Sequence, residues 1–416
     1  MKNWEVEYLD DVCELITCGV AARPNYVDEG VPFLSAKNVK DGQIIWSGYN
    51  CISEETHKEL TKNSKPLKGD LLYTRVGSYG EAAVIEDDYE FSVFVSLTLI
   101  KVDKSKLNNY YLKHYLNSEA VKNLAKASIS GSGVGNLNVG TVRKFKIPLP
   151  PLPEQQRIVS ILDEAFACIE RSRNAAIKNL KNAKELFESY LQGVFENGNW
   201  EKKTLKELTT KIGSGATPRG GQENYKVEGI SLVRSMNVHD WEFRERNLAF
   251  IDEKQAKELD GVSLLENDVL LNITGASVAR CCIFPKEYLP ARVNQHVSII
   301  RPKKELLDAT FLNLLLTSKP YKDQLLFTGE QGATRQAITK AQIESFRISI
   351  PPLKEQQTIV RQLDALRAET QKLEAVYQKK IEDLEELKKS ILQKAFAGKL
   401  RGGEPVEPNT EKALAL

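Results

Sequence analysis

The sequence predicts an α+β protein in which two α/β domains are separated by two long antiparallel coiled-coil helices, the whole forming an internal pseudo-two-fold repeat. Three observations carry this reading. A nine-residue string rich in Pro, Glu and Gln occurs twice, a stretch dense in strong helix formers follows each copy, and the intervening segments mix β-rich apolar runs with helical spacing. At 416 residues the chain is too long for one ordinary hydrophobic core.

The repeat comes first. Pro151-Leu152-Pro153-Glu154-Gln155-Gln156-Arg157-Ile158-Val159 returns as Pro352-Leu353-Lys354-Glu355-Gln356-Gln357-Thr358-Ile359-Val360, with Leu162-Asp163 and Leu363-Asp364 in register. The same offset reaches Leu186, Ser189, Leu191, Gln192 and Phe195, answered by Leu387, Ser390, Leu392, Gln393 and Phe396. Looser matches fill the rest. Lys37-Asn38-Val39 aligns with Met236-Asn237-Val238, Asp70-Leu71-Leu72 with Asp268-Val269-Leu270, and Leu97 to Lys101 with Val297 to Arg301. The organisation is therefore a domain over 1–150, a helix over 151–198, a second domain over 199–350, a second helix over 351–400 and a tail over 401–416.

Each element has a local reason. After Pro153 no proline occurs until Pro218, and residues 154–197 are rich in Ala, Glu, Lys, Leu and Gln, which favours one long helix. In its partner, Ile359, Leu363, Leu366, Thr370, Leu373, Tyr377, Lys380, Leu384, Leu387 and Ile391 step by fours and threes, the spacing of a coiled-coil seam. The first helix has Ala165, Ser172, Ala176, Asn179 and Ala183 at the equivalent places, and its apolar stripe moves to Phe166, Ile169, Ile177, Leu180, Phe187 and Leu191. Bulky residues on one helix and small ones on the other suit mutual packing, with packing on a different chain as the alternative. A helix of about 44 residues would be a rod of roughly 65 Å. Prolines before each helix restrict the preceding residues to extended backbone, so short strands are expected at Phe145 to Leu149 and Phe346 to Ile350. In the domains, Ala82 to Ile85, Phe91 to Val102, Val269 to Ile273 and Val297 to Ile300 read as strands, and Asn109 to Lys126 and Asp308 to Leu326 as helices.

Composition excludes several functions. The chain is 41% hydrophobic and 27% charged, with 58 Lys and Arg against 56 Asp and Glu, a near-neutral balance that speaks against a binder held by charge alone. No apolar run is long enough for a membrane span, and Met1 to Asp11 lacks the pattern of a secretory leader, so a cytoplasmic protein is expected. The six cysteines form no C-x-x-C pair and the four histidines stand far apart, so no zinc site can be read and reduced thiols are expected. The strings nearest to a base-methyltransferase clamp, Ile350-Pro351-Pro352 and Leu149-Pro150-Pro151, lack its Asn and its aromatic residue. The glycine strings at 131–135 and 213–215 are not G-x-G-x-x-G. Glu386-Leu387-Lys388 has a nuclease-like spacing but falls on the second helix, where Glu and Lys are ordinary solvated residues. A binding protein is the reading that remains. Polar, Gly-rich loops at 131–136 and 329–335 occupy equivalent places in the two halves, and arginine numbers three in residues 1–150 against nine in 200–350. If both domains read DNA, they should read different sequences.

The repeated P-L-x-E-Q-Q-x-I-V string, the two long helices ending near Phe195 and Phe396, and the two divergent domains together resemble the specificity subunit of type I restriction-modification systems, from Trp4 to about Leu400. That resemblance implies a target recognition domain in each half, one for each part of a split double-stranded DNA site, spaced by the antiparallel helices. It also implies two modification (methyltransferase) subunits docked around the helices at Glu154, Gln155, Gln156, Glu355, Gln356 and Gln357, and recruitment of restriction subunits. No cofactor is expected in this chain; S-adenosylmethionine, ATP and Mg belong to the partners, and the specificity subunit itself is not an enzyme. Gly215-Ala216-Thr217-Pro218 is similar to a G-x-T-P string of such domains, while Gly19 to Pro24 departs from it. The DNA-contact candidates are Ser35, Lys37, Asn38, Arg75, Ser132 and Asn136 in the first half. In the second they are Thr217, Arg219, Arg234, Asn237, Asn272, Thr274, Thr334 and Arg335. The alternatives are a coiled-coil scaffold, or an inactive specificity-subunit copy serving another complex.

Overall fold

The computed structural model describes residues 4–129, 135–218, 221–330 and 337–400. They divide into two compact units, one of residues 4–176 with 379–400, the other of 177–378. Each unit therefore takes an α/β domain and part of each long helix.

In the first unit a four-stranded antiparallel sheet is built from β1 (Cys13–Cys18), β2 (Leu71–Thr74), β3 (Ala82–Val84) and β4 (Leu97–Val102) in the order β1-β4-β2-β3. The second unit repeats it with β5 (Thr209–Ser214), β6 (Val269–Asn272), β7 (Cys281–Ile283) and β8 (Val297–Pro302) in the order β5-β8-β6-β7. Even the irregularity recurs, because β1 and β4 slip register at Val102 and β5 and β8 slip at the matching Pro302. A smaller mixed sheet stands beside each, with Val31–Leu34 between Asn50–Ile52 and Ser92–Val93, and Ile230–Val233 between Ala249–Ile251 and Ala291–Val293.

The central sheets are buried on both faces, which is why their strands read as continuous apolar runs. Leu71, Tyr73, Ile100 and Val102 enter one core of the first unit, while Leu72, Ala83, Leu97 and Leu99 enter the other. The second unit splits Val269, Leu271, Cys281 and Ile300 from Leu270, Cys282, Val297 and Ile299 in the same way. Adjacent Cys281 and Cys282 thus point to opposite cores. Both helical regions expected in the domains are broken in two, into Asn109–Leu116 with Glu119–Ala127 and Ala309–Thr317 with Lys319–Glu330. At the first break Asn117 turns its amide onto the sheet edge, accepting from the Ala82 N–H at 2.9 Å and donating to the Ala82 carbonyl at 2.8 Å.

The long helices are α1 (Leu152–Asn197, 46 residues) and α2 (Leu353–Phe396, 44 residues). In the first unit Ile158 and Leu162, early in α1, share a core with Leu392 and Ala395, late in α2. In the second unit Phe187, Leu191 and Phe195, late in α1, share a core with Ile359 and Leu363, early in α2. Within each unit the helices are therefore antiparallel. The seam differs from the expected one after Thr370, which is itself 2% exposed. Leu373 and Leu387 are each 41% exposed, whereas Glu374 and Ile381 are half-buried, so alternate places move on by one residue while the expected Tyr377, Leu384 and Ile391 remain half-buried. On α1 the small residues Ala176 and Ala183 are buried, as small-against-bulky packing implies, while Ile177 of the expected apolar stripe is exposed.

Two glycines mark equivalent crossings. A Cβ on Gly19 would lie 1.9 Å from the Val93 carbonyl oxygen, and one on Gly215 would lie 1.7 Å from that of Val293. No side chain fits at either place. In contrast Gly193, within α1, has open space around it. Gly215→Ala should therefore destabilise the second unit by about 1–3 kcal/mol or more, while Gly193→Ala should stabilise by up to about 1 kcal/mol. Urea midpoints of the two variants check this, and equal shifts would contradict it.

Two buried histidines give the first unit a pH dependence. His114 donates from Nε2 to Asp163 at 2.8 Å, and burial pushes its pKa below the ordinary imidazole value despite the carboxylate. His57, against Ser92 at 2.9 Å, is lowered by the same cause. Asp163 is held below the usual carboxylate range by the bond from His114. The unfolded chain thus takes up protons before the folded one. Stability of the first unit should be level above about pH 6.5 and fall as the pH drops below it, and His57→Gln with His114→Gln should flatten that slope. Hydrogen exchange between about pH 8 and 5 measures it.

Candidate nucleic-acid interface

The expected site residues fall into three groups. Ser132, Arg219, Thr334 and Arg335 lie outside the described residues. The second group is used up inside the fold. Asn38 is buried, accepts from the Ser35 N–H at 3.0 Å, and donates to the carbonyls of Ile45 at 3.1 Å and Ser47 at 3.0 Å. Asn237 does the same with the Arg234 N–H at 3.1 Å and the carbonyls of Arg244 at 2.8 Å and Arg246 at 3.4 Å. The matched Asn pair staples a short loop onto a 3-10 turn in each unit, and both amides are buried with their N–H groups spent on backbone carbonyls. Arg75 is buried as well, donating to the carbonyls of Leu137 at 2.9 Å and Val95 at 2.9 Å and to Asn136 Oδ1 at 2.8 Å. Asn272 is fully buried and donates to the carbonyls of Ser235 and Val238 and to Ser277 Oγ, its own Oδ1 being unpartnered. For Asn38, Asn237, Arg75 and Asn272 the expectation of a DNA contact is corrected, because each side chain is buried and its N–H groups bond within the fold.

The third group faces outward. Lys37 and Asn136 are exposed and Ser35 is half-buried. Arg234 is half-buried, with its guanidinium 5.4 Å from the centroid of the Tyr225 ring and Nη2 donating to the Asn247 carbonyl. Thr217 and Thr274 meet through two residues that the sequence reading missed. The Thr217 hydroxyl donates to Gln295 Oε1, Gln295 Nε2 donates to His296 Nε2 at 3.1 Å, and His296 Nδ1 lies 2.6 Å from Thr274 Oγ1. Thr274 also bridges to Ala337 across the sheet edge, as Val76 does to Asn136 in the first unit. A signal for Gln295 was present, since alignment of the two halves sets Val95-Ser96 against Gln295-His296. A polar pair facing an apolar residue at one turn marks where the halves differ.

The helix starts behave differently. Gln155 is 0% exposed: its amide donates to the carbonyls of Pro150 at 2.8 Å and Lys106 at 2.9 Å and accepts from the Asn108 N–H at 2.7 Å. Gln356, also 0% exposed, donates to the carbonyls of Pro351 at 2.8 Å and Leu306 at 2.9 Å and accepts from the Asp308 N–H at 2.9 Å. Both are latches between helix and domain, so a docking role for these two side chains is corrected. Glu154 is held by Arg157 in two hydrogen bonds of 2.7 and 2.9 Å, and Glu355 accepts from the Trp200 indole at 3.0 Å. Gln156 and Gln357 are exposed.

Burial pushes the thiols of Cys13 and Cys282 up to about 12, and that of Cys281 well above its usual value, so all three stay protonated at neutral pH. The buried carboxylates are structural: Asp268 accepts from both the Arg301 Nε and Nη2 at 2.7 Å, and its counterpart Asp70 pairs with Lys101. Among the described residues no group of three His, Cys, Asp or Glu side chains could hold a metal, and no helix is long and apolar enough to cross a membrane.

The family model for the type I restriction modification DNA specificity domain matches residues 1–179 and again 197–383. The chain belongs to this family. A Methanocaldococcus jannaschii protein named as the MjaX specificity subunit of a type I restriction enzyme is 27% identical, over 96% of this chain and 94% of its own. The Escherichia coli EcoKI specificity subunit is 21% identical over 96% of this chain and 89% of its own. The fold matches a chain solved in a study of assembly and conformational transition of the type I restriction-modification system, with TM-score 0.73, 21% identity and coverage of 96% and 99%. The HsdS subunit from Thermoanaerobacter tengcongensis follows at TM-score 0.62 and 20% identity, covering 96% and 98%. The protein is thus a DNA specificity subunit of the type I restriction-modification family.

If the helix-start glutamines are latches, Gln155→Ala and Gln356→Ala should each destabilise their own unit by roughly 1–3 kcal/mol, since each removes three hydrogen bonds and leaves the buried proline-joint carbonyl unpaired. The exposed neighbours Gln156→Ala and Gln357→Ala should stay within about 0.5 kcal/mol of the parent. Unit-resolved hydrogen exchange distinguishes the two pairs, and parity between them would remove the latch.

Proposed function

We propose that this chain reads a bipartite double-stranded DNA site, one half-word per unit, and carries two modification subunits and, through them, the restriction subunits of a type I complex. The observation that carries this is duplication with divergence. The two units share sheet order, register slip, Asn staple and Gln latch, yet they present different side chains at equivalent outward places. A duplicated frame with unlike faces suits two different words.

The frame places polar side chains at the ends of rigid strands, where base edges and phosphates are approached by hydrogen bonding. Near-neutral charge gives the chain little non-specific hold on phosphates, so tight binding requires the modification subunits to close on the duplex. The same twofold repeat suits two copies of that subunit, docking beside the exposed Gln156 and Gln357. S-adenosylmethionine, ATP and Mg stay with those partners, and the assembly acts in the cytoplasm, where the DNA is.

Co-expression with a cognate modification subunit, followed by genome-wide mapping of adenine methylation, tests this. The expected result is one motif of two half-words at fixed spacing, and exchange of residues 1–150 for those of another specificity subunit should change one half-word alone. A stable complex without methylation would favour an inactive copy, and no complex would favour a scaffold with other partners.

A further inference from the structure

We infer that Gln295 is a base-reading residue of the second half-word and that the base it reads is adenine. The inference rests on the DNA-reading proposal above and adds to it a residue, a position and a base.

Gln295 and His296 form a two-residue turn between Ala291–Val293 and β8, fixed by backbone bonds to three separate elements. The Asn294 carbonyl accepts from the Gly215 N–H at 3.1 Å, the Asn294 N–H donates to Val233 at 3.0 Å, and the Ile273 N–H donates to the His296 carbonyl at 3.0 Å. Asn294 Oδ1 also accepts from the His296 N–H at 3.0 Å. The strands on either side are buried, whereas Gln295 itself is exposed. A rigid tip thus carries a long polar side chain outward.

That side chain is already oriented. Thr217 donates to its Oε1, and its Nε2 donates to His296 at 3.1 Å, whose other ring nitrogen is 2.6 Å from Thr274. An amide has two N–H groups and two acceptor lone pairs. The chain of bonds uses one of each, which leaves one donor and one acceptor on an exposed group. That is the complement of adenine in the major groove, which accepts at N7 and donates from N6; guanine offers two acceptors and would leave the amide oxygen unpaired. Prior fixing by Thr217 and His296 lowers the conformational entropy lost on binding. The first unit has Val95 at this turn, with no polar group to offer, and Ser96 beside it is turned inward to accept from the Ala36 N–H at 2.9 Å. The reading therefore belongs to one half-word.

The test uses the full chain assembled with its modification subunits and selects from duplexes randomised across both half-words. An exchange of residues 199–350 first identifies the second half-word. Gln295→Ala should lower the preference for adenine at one position of that half-word by about 5- to 150-fold and leave every other position unchanged. Gln295→Glu, of equal size and with no N–H to give, should also lose adenine there. An unchanged motif, a uniform loss at all positions, or loss at a position where adenine is not required would each overturn the inference. Absence of any two-word motif with the parent chain would instead overturn the DNA-reading proposal beneath it.

Discussion

Everything in this architecture depends on one amide group at the start of each long helix. Gln155 and Gln356 sit with no exposure at the place where the last domain strand ends, the helix begins, and the first of the paired domain helices is capped. Each closes the same three hydrogen bonds, to the carbonyl of the proline joint, to a loop carbonyl, and from the N–H of the residue that caps the domain helix. Asn108 and Asp308 are those capping residues, so the latch and the cap share a backbone. Losing it would free the helix start, the cap and the strand end together.

The latch also explains how the domains can diverge. All six of its partners are backbone atoms, so the latch itself holds a domain without reading that domain's side chains. Gly19 and Gly215 act in the same spirit, since each is set against a backbone carbonyl, and what they require is empty space and not a particular neighbour. A frame held through the main chain tolerates exchange of almost any outward residue. Under the proposed DNA-reading function, that tolerance would let the outward residues change without loss of the frame.

Much of this was legible in the sequence. The repeat announced the duplication, the proline joints announced the strand before each helix, and long apolar runs announced strands buried on both faces. Beyond Thr370 heptad counting held at Tyr377, Leu384 and Ile391 but failed at Leu373 and Leu387, apolar residues that are exposed while Glu374 and Ile381 turn inward. Periodicity sees polarity; it does not see how closely two backbones approach. The site reading failed for a related reason. Asn38, Asn237 and Gln155 are polar residues in a protein expected to bind a polar ligand, and only geometry shows that their hydrogen bonds are spent at home.

The repeat itself separates the two kinds of polar residue. What the halves share in register must serve what they share in structure, and Asn38 with Asn237, Gln155 with Gln356, and Asp70 with Asp268 all prove to be internal. What they do not share is free to serve different words, as with Val95 against Gln295. Arg75 qualifies the rule. Its counterpart is Ile273, yet both are structural: the arginine ties its corner with three hydrogen bonds, and the isoleucine fills the same corner as part of the core. Divergence between the halves is therefore necessary for a reading residue but not sufficient. The second condition is exposure on an anchored turn, and Gln295 meets both.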